Sequence, residues 1–483
     1  MASMGEGQGV ERRLMDAVRG AGQGHLVEDW GELSLAERTE LRADLEAMDV
    51  DHAKAIFEAS ISGSEPSKGQ VEAVKDVLQI KDLKPELKAT WRHLGCKVIS
   101  EGKMAIVLLA GGQGTRLGSS QPKGCYDVGL PSHKSLFQIQ AERILKLQRL
   151  AAEATSGPGA EVTKPLFWYI MTSSATHDDT VAFFARNDFF GVKPTQVTFF
   201  QQGTLPCFTE DGKIIMETKS KVAKSPNGNG GVYLALSTSG ALRHMREHGV
   251  ECVDCYSVDN LLVRIGDPVF IGYCWEKGAE CGSRVVAKAH PREKVGVFAR
   301  RNGALGVVEY SEMDERVATS VDPATGQLNF NWGNICMHFF TLPFLEKAWQ
   351  SLEDGALYHV AKKTIAGKDG PTQGIKLEAF IFDPFPLASK QALFEVVRAE
   401  HFAPVKNARG SPADSPDTAR ALLLSLHKRW VESAGGTVTC SPGVEVSPLL
   451  SYSGEGLEEI CQGELFDSLE CPLLQGGAPG AEA

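Results

Sequence analysis

Residues 104–124 read MAIVLLAGGQGTRLGSSQPKG, an apolar segment that breaks into a glycine-rich loop. The apolar segment, 104–110, has the length and the β-branched content of a buried strand. The loop after it ends in a Pro-Lys-Gly string that contains Lys123. A buried strand that runs straight into a glycine loop is typical of a central strand in an α/β sheet, so we expect the chain to be built around such a sheet.

The glycine-rich loop has the residue types of an anion site. Because glycine lacks a Cβ, Gly111, Gly112 and Gly114 allow backbone N–H groups to approach a bound group closely. Consecutive N–H groups in such a turn form a concavity that suits an anion. Arg116 and Lys123 add two positive charges to the same loop. We therefore expect a nucleotide phosphate to bind at the carboxyl end of the strand.

Two widespread phosphate loops fit this pattern less well. A Walker A loop needs Gly-Lys followed by Ser or Thr, and no such string stands near the strand. A dinucleotide fingerprint is closer, but its third glycine, Gly118, stands one place late and Arg116 would crowd the helix–strand contact. The spacing alone leaves open a nicotinamide-binding fold, a purely structural turn, and a third kind of loop that ends in Pro-Lys-Gly.

Length and charge limit the class of protein. At roughly 150 residues per domain, a chain of 483 residues is long enough for about three domains. The formal net charge of −11 argues against a general nucleic-acid binder, because phosphate backbones require a basic surface. The same net charge allows a small anionic substrate that is held by a few local cations.

The sequence predicts a cytoplasmic protein with neither a membrane nor a nucleic-acid partner. The N-terminal MASMGEGQG lacks the apolar core of a signal peptide, and no apolar run approaches the ~18 residues of a membrane span. The 11 cysteines are scattered, and the Cys252-Val-Asp-Cys255 pair lacks the second pair that a zinc site needs. We expect these cysteines to be buried thiols in a reducing compartment.

Three regions follow from the pattern of helices and strands. Residues 1–100 predict a helical N-terminal domain, and 101–390 predict a central nucleotide- and sugar-binding α/β domain. Residues 391–483 predict a small C-terminal α+β domain with a frayed tail. Among the individual helices, we expect one at 233–248 and one at 389–400.

One short motif suggests a metal site that its surroundings do not support. His244-Met245-Arg246-Glu247-His248 matches the H-x-x-E-H pattern of some zinc proteases. The two histidines would share one helix face, but the neighbours are basic and no third ligand is evident. We interpret the motif as the solvated end of a helix.

With the later motifs, the loop resembles the signature loop of sugar-nucleotide pyrophosphorylases, and most narrowly that of plant UDP-N-acetylhexosamine pyrophosphorylases. The resemblance spans about residues 25–470. Its motifs are FQQG at 200–203, PNGNGG at 226–231, VDN at 258–260, VEY at 308–310, GIK at 374–376 and PVKNA at 404–408. It implies a mixed central sheet of the Rossmann-like sugar-nucleotidyltransferase type. It also implies the reaction of UTP with N-acetylglucosamine 1-phosphate to give UDP-N-acetylglucosamine and pyrophosphate.

The resemblance implies a nucleotide site with three catalytic cations, Arg116, Lys123 and Lys406. The nucleotide-binding positions that it implies are Leu109, Ala110, Gly111, Gly112, Lys123, Gln202, Gly228, Asp259 and Lys376. Gln202 and Gly228 match positions that read the uracil edge, and a side-chain amide suits an imide-like base. Asp259 also matches a ligand of Mg²⁺ or Mn²⁺, since carboxylates at strand ends hold such ions against phosphate oxygens.

A sugar site is also implied by the resemblance. Its positions are Asn229, Gly296, Glu309, Tyr310, Asn334, Phe380, Phe382 and Lys406. The residue types alone also allow a plainer interpretation for two of them, because Phe380 and Phe382 alternate as core residues do along one strand face. Whether N-acetylgalactosamine 1-phosphate or glucose 1-phosphate also reacts is left open by the motifs.

The partners that the resemblance implies are UTP and an N-acetylhexosamine 1-phosphate, and we expect a monomer or a weak dimer. Two alternatives remain at this point. The loop spacing allows a nicotinamide-dependent oxidoreductase, which would not need Lys123. The same scaffold could also serve as a non-catalytic UDP-sugar sensor, although Arg116, Lys123, Asp259 and Lys406 argue for catalysis.

Overall fold

The structure of the protein is a computed structural model that describes residues 2–63, 71–353, 358–468 and 473–474. The α-helices are α1 (Ala2–Gly20), α2 (Leu35–Ala47), α3 (Val50–Gly63), α4 (Pro85–Ser100), α5 (Leu136–Ser156), α6 (His177–Arg186), α7 (Val232–Thr238), α8 (Ala241–Glu247), α9 (Pro268–Lys277), α10 (Glu315–Ala318), α11 (Leu342–Glu353), α12 (Arg398–His401), α13 (Pro416–Ser433) and α14 (Glu458–Cys461). The predicted frayed tail beyond residue 474 lies outside the described residues.

The strands are β1 (Val71–Ala73), β2 (Val77–Leu78), β3 (Met104–Leu109), β4 (Trp168–Thr172), β5 (Val197–Gln201), β6 (Thr204–Pro206), β7 (Lys224–Pro226), β8 (Cys252–Ser257), β9 (Cys281–Ala287), β10 (Val297–Arg301), β11 (Ala304–Val308), β12 (Trp332–Thr341), β13 (His359–Gly367), β14 (Gly370–Glu378), β15 (Gln391–Glu395), β16 (Thr437–Val438), β17 (Glu445–Val446), β18 (Leu465–Phe466) and β19 (Leu473–Leu474).

A mixed sheet organises the larger part of the chain, as the sequence predicts. Its strands follow the order β2-β15-β9-β12-β8-β3-β4-β5, and β1, β10 and β11 extend it from β12. β3 runs parallel to β4 and β8, whereas β12 is antiparallel to β8 and β9. All six residues of β3 are buried, because a strand with parallel neighbours and helices on both faces is shielded from solvent on each side. The predicted fold class is confirmed.

The described chain divides into two compact units. The first is formed by the described parts of Met1–Gln70, Gln202–Leu234 and Ala348–Pro384. It contains α1 to α3, the short β6–β7 pair and the β13–β14 hairpin. The second unit is formed by the described parts of Val71–Gln201, Ala235–Lys347 and Phe385–Ala483, and it contains the mixed sheet. The sequence-based division into three domains stays a prediction.

Two predicted helices are wrong in detail. The helix expected at 233–248 is two helices, α7 and α8, because Gly240 adopts a φ of 80° between them. The segment expected to be helical at 389–400 contains strand β15, and only the single turn of α12 follows it. β15 pairs in parallel with β9, and this pairing decides the structure of a short apolar run that is compatible with either element.

The cysteines and the H-x-x-E-H motif have the plain roles that the sequence predicts. Ten cysteines lie in the described residues; all are free thiols, and eight are buried. Nδ1 of His244 is 2.7 Å from the Tyr169 hydroxyl oxygen, and Nδ1 of His248 is 2.8 Å from the His244 carbonyl oxygen.

In the part of the chain that the structure describes, no helix combines the length and apolar character needed to cross a bilayer.

Two buried histidines predict a loss of stability in mild acid. Burial, with a smaller contribution from Arg143, lowers the pKa of His427 from 6.5 to about 3. Burial and then Arg284 lower the pKa of His338 to about 3 as well. Since the folded state holds both rings neutral while the unfolded chain protonates them near pH 6.5, their contribution to stability is complete above pH 6.5 and is lost progressively as the pH falls toward 3.

We expect the melting temperature to fall between pH 7 and pH 5, a window that lies above most carboxylate pKa values. His427 accepts a hydrogen bond from the backbone N–H of Val446, so His427→Gln removes the titration while keeping an acceptor. Thermal melts at both pH values should show a smaller shift for His427→Gln than for the wild type. The exposed His52 supplies the control variant His52→Gln. Equal shifts in all three proteins would contradict the role of His427.

Candidate active site

The glycine-rich loop begins at the end of β3 in the second unit, where hydrogen bonds to neighbouring segments hold its first residues. The Ala110 N–H donates to the Met171 carbonyl at 2.8 Å, and the Val258 N–H donates to the Leu109 carbonyl at 3.1 Å. The buried Ser173 hydroxyl donates to the Gly111 carbonyl at 2.8 Å. These bonds hold the loop at the carboxyl edge of the sheet, where ligands bind in open α/β folds.

The loop folds back on itself and places Lys123 next to Gly112. The Lys123 N–H donates to the Gly112 carbonyl at 3.1 Å, and the Gly114 N–H donates to the Gln121 carbonyl at 3.0 Å. Lys123 lies at an intermediate exposure, whereas Gly112 and Arg116 are exposed. The structure therefore brings together the glycines and the two cations that the sequence marks as an anion site.

Two glycines of the loop are there for different physical reasons. A Cβ on Gly124 would lie 2.2 Å from the Phe137 ring, so packing excludes any side chain at this position. A Cβ on Gly112 would meet no atom within 4 Å, and the φ of Gly112 lies outside the left-handed region. Neither packing among the described residues nor backbone conformation requires a glycine at position 112. The position leaves room for a ligand against the backbone.

The pair Gly112→Ala and Gly124→Ala tests this distinction. We expect Gly112→Ala to keep the wild-type stability or to gain a few tenths of a kcal/mol, because alanine reduces the entropy of the unfolded chain. We expect the same variant to lose nucleotide affinity. Gly124→Ala should instead lower the melting temperature, since overpacking costs about 1–3 kcal/mol. Thermal melts and nucleotide titrations check both results, and unchanged nucleotide affinity in Gly112→Ala would contradict the ligand role.

Lys123 lies within a cluster of charges from three separate segments. Burial is the largest influence and lowers the pKa of the Lys123 amine; Asp259 raises it, and Lys406 and Arg116 lower it. Lys406 and Arg116 are therefore close enough to Lys123 to disfavour its charge, and Asp259 is close enough to favour it. A bound anion would offset the repulsion between these cations and Lys123. Such an arrangement can bind an anion.

Asn260, which belongs to the VDN motif but has no assigned role in the sequence analysis, joins the segments that carry Asp259 and Lys406. Its side-chain amide donates to the His401 carbonyl at 2.7 Å, and its side-chain oxygen accepts from the Ala403 N–H at 2.9 Å. The Val405 N–H donates to the Asp259 carbonyl at 2.9 Å. Asn260 is 2% exposed. These bonds bring Lys406 to the end of β8, although the two are far apart in sequence.

Arg409 connects the lysine-bearing loops of the second unit. Its guanidinium donates to the Asp417 carboxylate at 3.1 Å and to the Asp127 carbonyl at 3.2 Å. The same group lies 5.8 Å from the centre of the Tyr126 ring. Tyr126 and Asp127 directly follow the turn of Lys123, and Arg409 stands three residues after Lys406. Arg409 therefore holds the two loops in a fixed relation.

A bulge in β12 brings four predicted sugar positions together. The register of β12 against β9 shifts between Asn334 and His338. The Asn334 N–H donates to the Gly296 carbonyl at 2.8 Å, and a Cβ on Gly296 would lie 2.6 Å from the Glu309 carboxylate. Tyr310 follows Glu309 and is 49% exposed.

The bulge also links these predicted sugar-binding residues to the charge cluster around Lys123. Its centre is Cys336, whose φ of 53° is unusual for a residue other than glycine. The Cys336 N–H donates to the Asn334 side-chain oxygen at 3.0 Å. Burial, followed by Asp259, raises the pKa of the Cys336 thiol to about 12, and Lys406 opposes the rise. Asn334, one of the predicted sugar positions, and Asp259, of the charge cluster, are therefore both neighbours of Cys336.

The remaining predicted positions lie in the first unit. They are Gln202, Gly228, Asn229, Lys376, Phe380 and Phe382. Gly228 and Asn229 pack against the segment that contains the two phenylalanines, as detailed below. Phe380 and Phe382 do not alternate on a strand face, because β14 ends at Glu378 and both residues lie in the turn that follows. The interpretation of these two rings as residues of a strand face is therefore wrong, whereas Phe382 is buried as a core residue is.

Comparison with known proteins shows the family to which the chain belongs. The model of the family described as UTP–glucose-1-phosphate uridylyltransferase (UDPGP) matches residues 54–453. The chain is 51% identical over 464 residues to UDP-N-acetylglucosamine diphosphorylase 2 of Arabidopsis thaliana, with 94% of this chain and 92% of that protein covered. It is 42% identical to the human UDP-N-acetylhexosamine pyrophosphorylase-like protein 1, covering 96% and 97% of the two chains.

Among solved structures, the fold matches the uridine diphosphate N-acetylglucosamine pyrophosphorylase from Trypanosoma brucei in complex with an inhibitor. The TM-score is 0.83 at 34% identity, and 92% of this chain and 93% of that chain are covered. The resemblance to pyrophosphorylases that the motifs predict, including the plant likeness, is confirmed. The chain therefore belongs to the UDPGP family, the family described as UTP–glucose-1-phosphate uridylyltransferase.

Proposed function

We propose that the protein is a uridylyltransferase that makes UDP-N-acetylglucosamine and pyrophosphate from UTP and N-acetylglucosamine 1-phosphate. The observation that carries this proposal is the charge cluster around Lys123 beside the open backbone of Gly112. The sugar is proposed from the names of the most similar relatives, which specify UDP-N-acetylglucosamine. The nicotinamide alternative is set aside because the family is one of uridylyltransferases.

The reaction joins two polyanions, so its main requirements are positioning and charge neutralisation. A phosphate oxygen of the sugar 1-phosphate attacks the α-phosphorus of UTP in line with the leaving group. The bond from the α-phosphorus to the bridging oxygen breaks, and that oxygen leaves with pyrophosphate. We assign Lys123 and Arg116 to the UTP phosphates and Lys406 to the sugar phosphate. Fixed cations stabilise the charge that shifts onto pyrophosphate without reorganising during the reaction.

We assign the base and the sugar to the positions that match the family motifs. In the second unit, we assign the backbone of 109–112 to the uridine nucleotide and Gly296, Glu309, Tyr310 and Asn334 to the sugar. In the first unit, we assign Gln202 and Gly228 to the uracil edge, Lys376 to a UTP phosphate, and Asn229, Phe380 and Phe382 to the sugar. Carboxylate and amide groups suit the sugar hydroxyls and the N-acetyl group, and the aromatic rings offer apolar faces.

Asp259 is the residue that we assign to a divalent cation, Mg²⁺ or Mn²⁺. In the described residues no group of three or more His, Cys, Asp or Glu side chains could hold a metal without a ligand's help. One carboxylate near a phosphate site fits Mg²⁺, which is usually held by one or two carboxylates together with substrate phosphates. When bound, the ion would neutralise phosphate charge. Asp259 itself would orient the ion, and its buried position limits competition from water.

A pyrophosphate-release assay with the purified full chain tests the proposal. We expect pyrophosphate to form when UTP, Mg²⁺ and N-acetylglucosamine 1-phosphate are all present, and not when any one is omitted. N-acetylgalactosamine 1-phosphate and glucose 1-phosphate are run in parallel to measure the breadth of the sugar site. No release with any of the three sugar phosphates would overturn the proposal. UDP-sugar binding without turnover would favour the non-catalytic sensor.

A further inference from the structure

The turn at 379–384 in the first unit carries the aromatic pair, Phe380 and Phe382. The two rings lie 5.1 Å apart between centroids at an angle of 39°. Phe380 is partly exposed, and Phe382 is 8% exposed. Because the turn stands outside the β13–β14 hairpin, strand pairing does not determine how these rings are oriented.

Asp383 makes the contacts that hold the aromatic pair in place. Its Oδ2 accepts the Phe380 N–H at 2.6 Å, and its Oδ1 lies 2.8 Å from Nε2 of His359. Since an ionised carboxylate only accepts hydrogen bonds, Nε2 of His359 carries the proton. The His359 ring also packs on the Phe380 ring, with centroids 4.2 Å apart. The Asp383 carboxylate thus fixes both the backbone of Phe380 and the His359 ring that packs on the Phe380 side chain.

The opposite side of the turn is held by the PNGNGG segment. The Asn229 side-chain oxygen accepts the Ile381 N–H at 3.0 Å, and the Tyr233 hydroxyl donates to the Ile381 carbonyl at 2.5 Å. Backbone packs on backbone here, because a Cβ on Gly228 would lie 2.3 Å from the Ala379 carbonyl oxygen. The side-chain oxygen of Asn229 is therefore committed to the turn, which leaves its NH₂ group for a ligand.

We propose that His359 and Asp383 are positioning residues that orient the aromatic pair and thereby determine which sugar 1-phosphate the enzyme prefers. The inference rests on the proposed function, because the aromatic pair is assigned to the sugar on that basis. Neither His359 nor Asp383 needs to touch the substrate. Their effect passes through a hydrogen bond to the Phe380 backbone and a ring contact to the Phe380 side chain.

Two substitutions of His359 separate the hydrogen bond from the ring contact. His359→Phe keeps an aromatic ring on Phe380 but removes the donor to Asp383. His359→Gln keeps a donor but removes the ring. We expect His359→Phe and Asp383→Ala to raise KM for N-acetylglucosamine 1-phosphate roughly tenfold. We expect KM for UTP to stay within about twofold, since the turn is assigned only to the sugar.

A conservative variant and a matched control complete the test. Asp383→Asn keeps an oxygen acceptor for the Phe380 N–H, so it should recover part of the loss seen in Asp383→Ala. Lys363→Ala changes an exposed residue on the same strand as His359 and should leave both KM values unchanged. The ratio of kcat/KM for N-acetylglucosamine 1-phosphate to that for glucose 1-phosphate should fall in His359→Phe and stay constant in the control.

The outcomes distinguish this inference from the proposed function. A wild-type chain that releases no pyrophosphate with any sugar phosphate defeats the proposed function. A wild-type chain that turns over, with variants whose KM values for UTP and sugar change equally or not at all, defeats the positioning role. Melting temperatures identify a variant that fails to fold. In that event His359→Phe, which keeps an aromatic side chain at this position, decides the result.

Discussion

Lys123→Ala is expected to lower kcat/KM for uridylyl transfer by about 10²–10³-fold, the size of effect seen when one preorganised donor to a developing charge is removed. The side chain is partly buried in a cluster that contains Arg116, Lys406 and a single carboxylate, Asp259. Its removal takes away one of the two loop cations that we assign to the UTP phosphates. The measurement is steady-state pyrophosphate release with both substrates varied.

The fold should survive Lys123→Ala, because a loop lysine contributes little to packing and burial already disfavours its charge. The melting temperature is therefore expected to stay within 1–2 °C of wild type, about the scale of a surface substitution. Lys193→Ala is the matched control, since Lys193 is exposed and precedes the start of β5, whereas the loop lies at the carboxyl ends of the strands. Near-normal turnover in Lys123→Ala would remove the basis of the proposed mechanism.

The same charges predict an alkaline limit for activity. Burial lowers the pKa of the Lys123 amine, and the neighbouring cations add to the effect. Lys123 should therefore lose its charge below the range of an ordinary exposed lysine, near 10.4. A bound triphosphate favours the charged form, so the shift should be seen in kcat/KM for UTP, which reports the free enzyme.

Arg284→Met is expected to cost about 3–5 kcal/mol of folding free energy, the largest stability effect that we predict. Arg284 and Asp254 form an ion pair at 2.6 Å, and both side chains are fully buried. Arg284 also donates to the Arg264 carbonyl, and Asp254 accepts the Gly266 N–H at 2.7 Å. Without Arg284 the Asp254 carboxylate would remain buried and uncompensated. Burial already raises its pKa even with Arg284 present.

The double variant Asp254→Leu/Arg284→Met separates the contribution of the ion pair from the cost of leaving one buried charge uncompensated. Replacing a buried ion pair by apolar residues of similar volume is often neutral, so the double variant should recover most of the stability that Arg284→Met loses. Denaturant titrations of the wild type, of the single variants Asp254→Leu and Arg284→Met and of the double variant give the coupling energy. If Arg284→Met costs less than 1 kcal/mol, or if the double variant is no more stable than either single one, the pair does not have the proposed importance.

The local sequence was sufficient for the strand and loop at 104–124. An apolar strand, a run of glycines and a Pro-Lys-Gly turn are short-range features, because each is recognised from the types and order of adjacent residues. The helix at α5 is another example, since Ser135 caps it and a regular apolar face follows. The motifs were also sufficient to identify the family, because they occur in order along most of the chain.

Only the tertiary structure decided what long-range contacts control. β15 is a strand and not a helix because β9 pairs with it, and Lys406 lies near the end of β8 because Asn260 binds the segment that leads to it. The link between His359 and Asp383 joins residues 24 positions apart through the turn that follows the hairpin. Periodicity and spacing cannot specify such contacts, since their energy depends on which distant segments fold against one another. The sequence determined the chemistry of the loop, and the fold determined which side chains surround it.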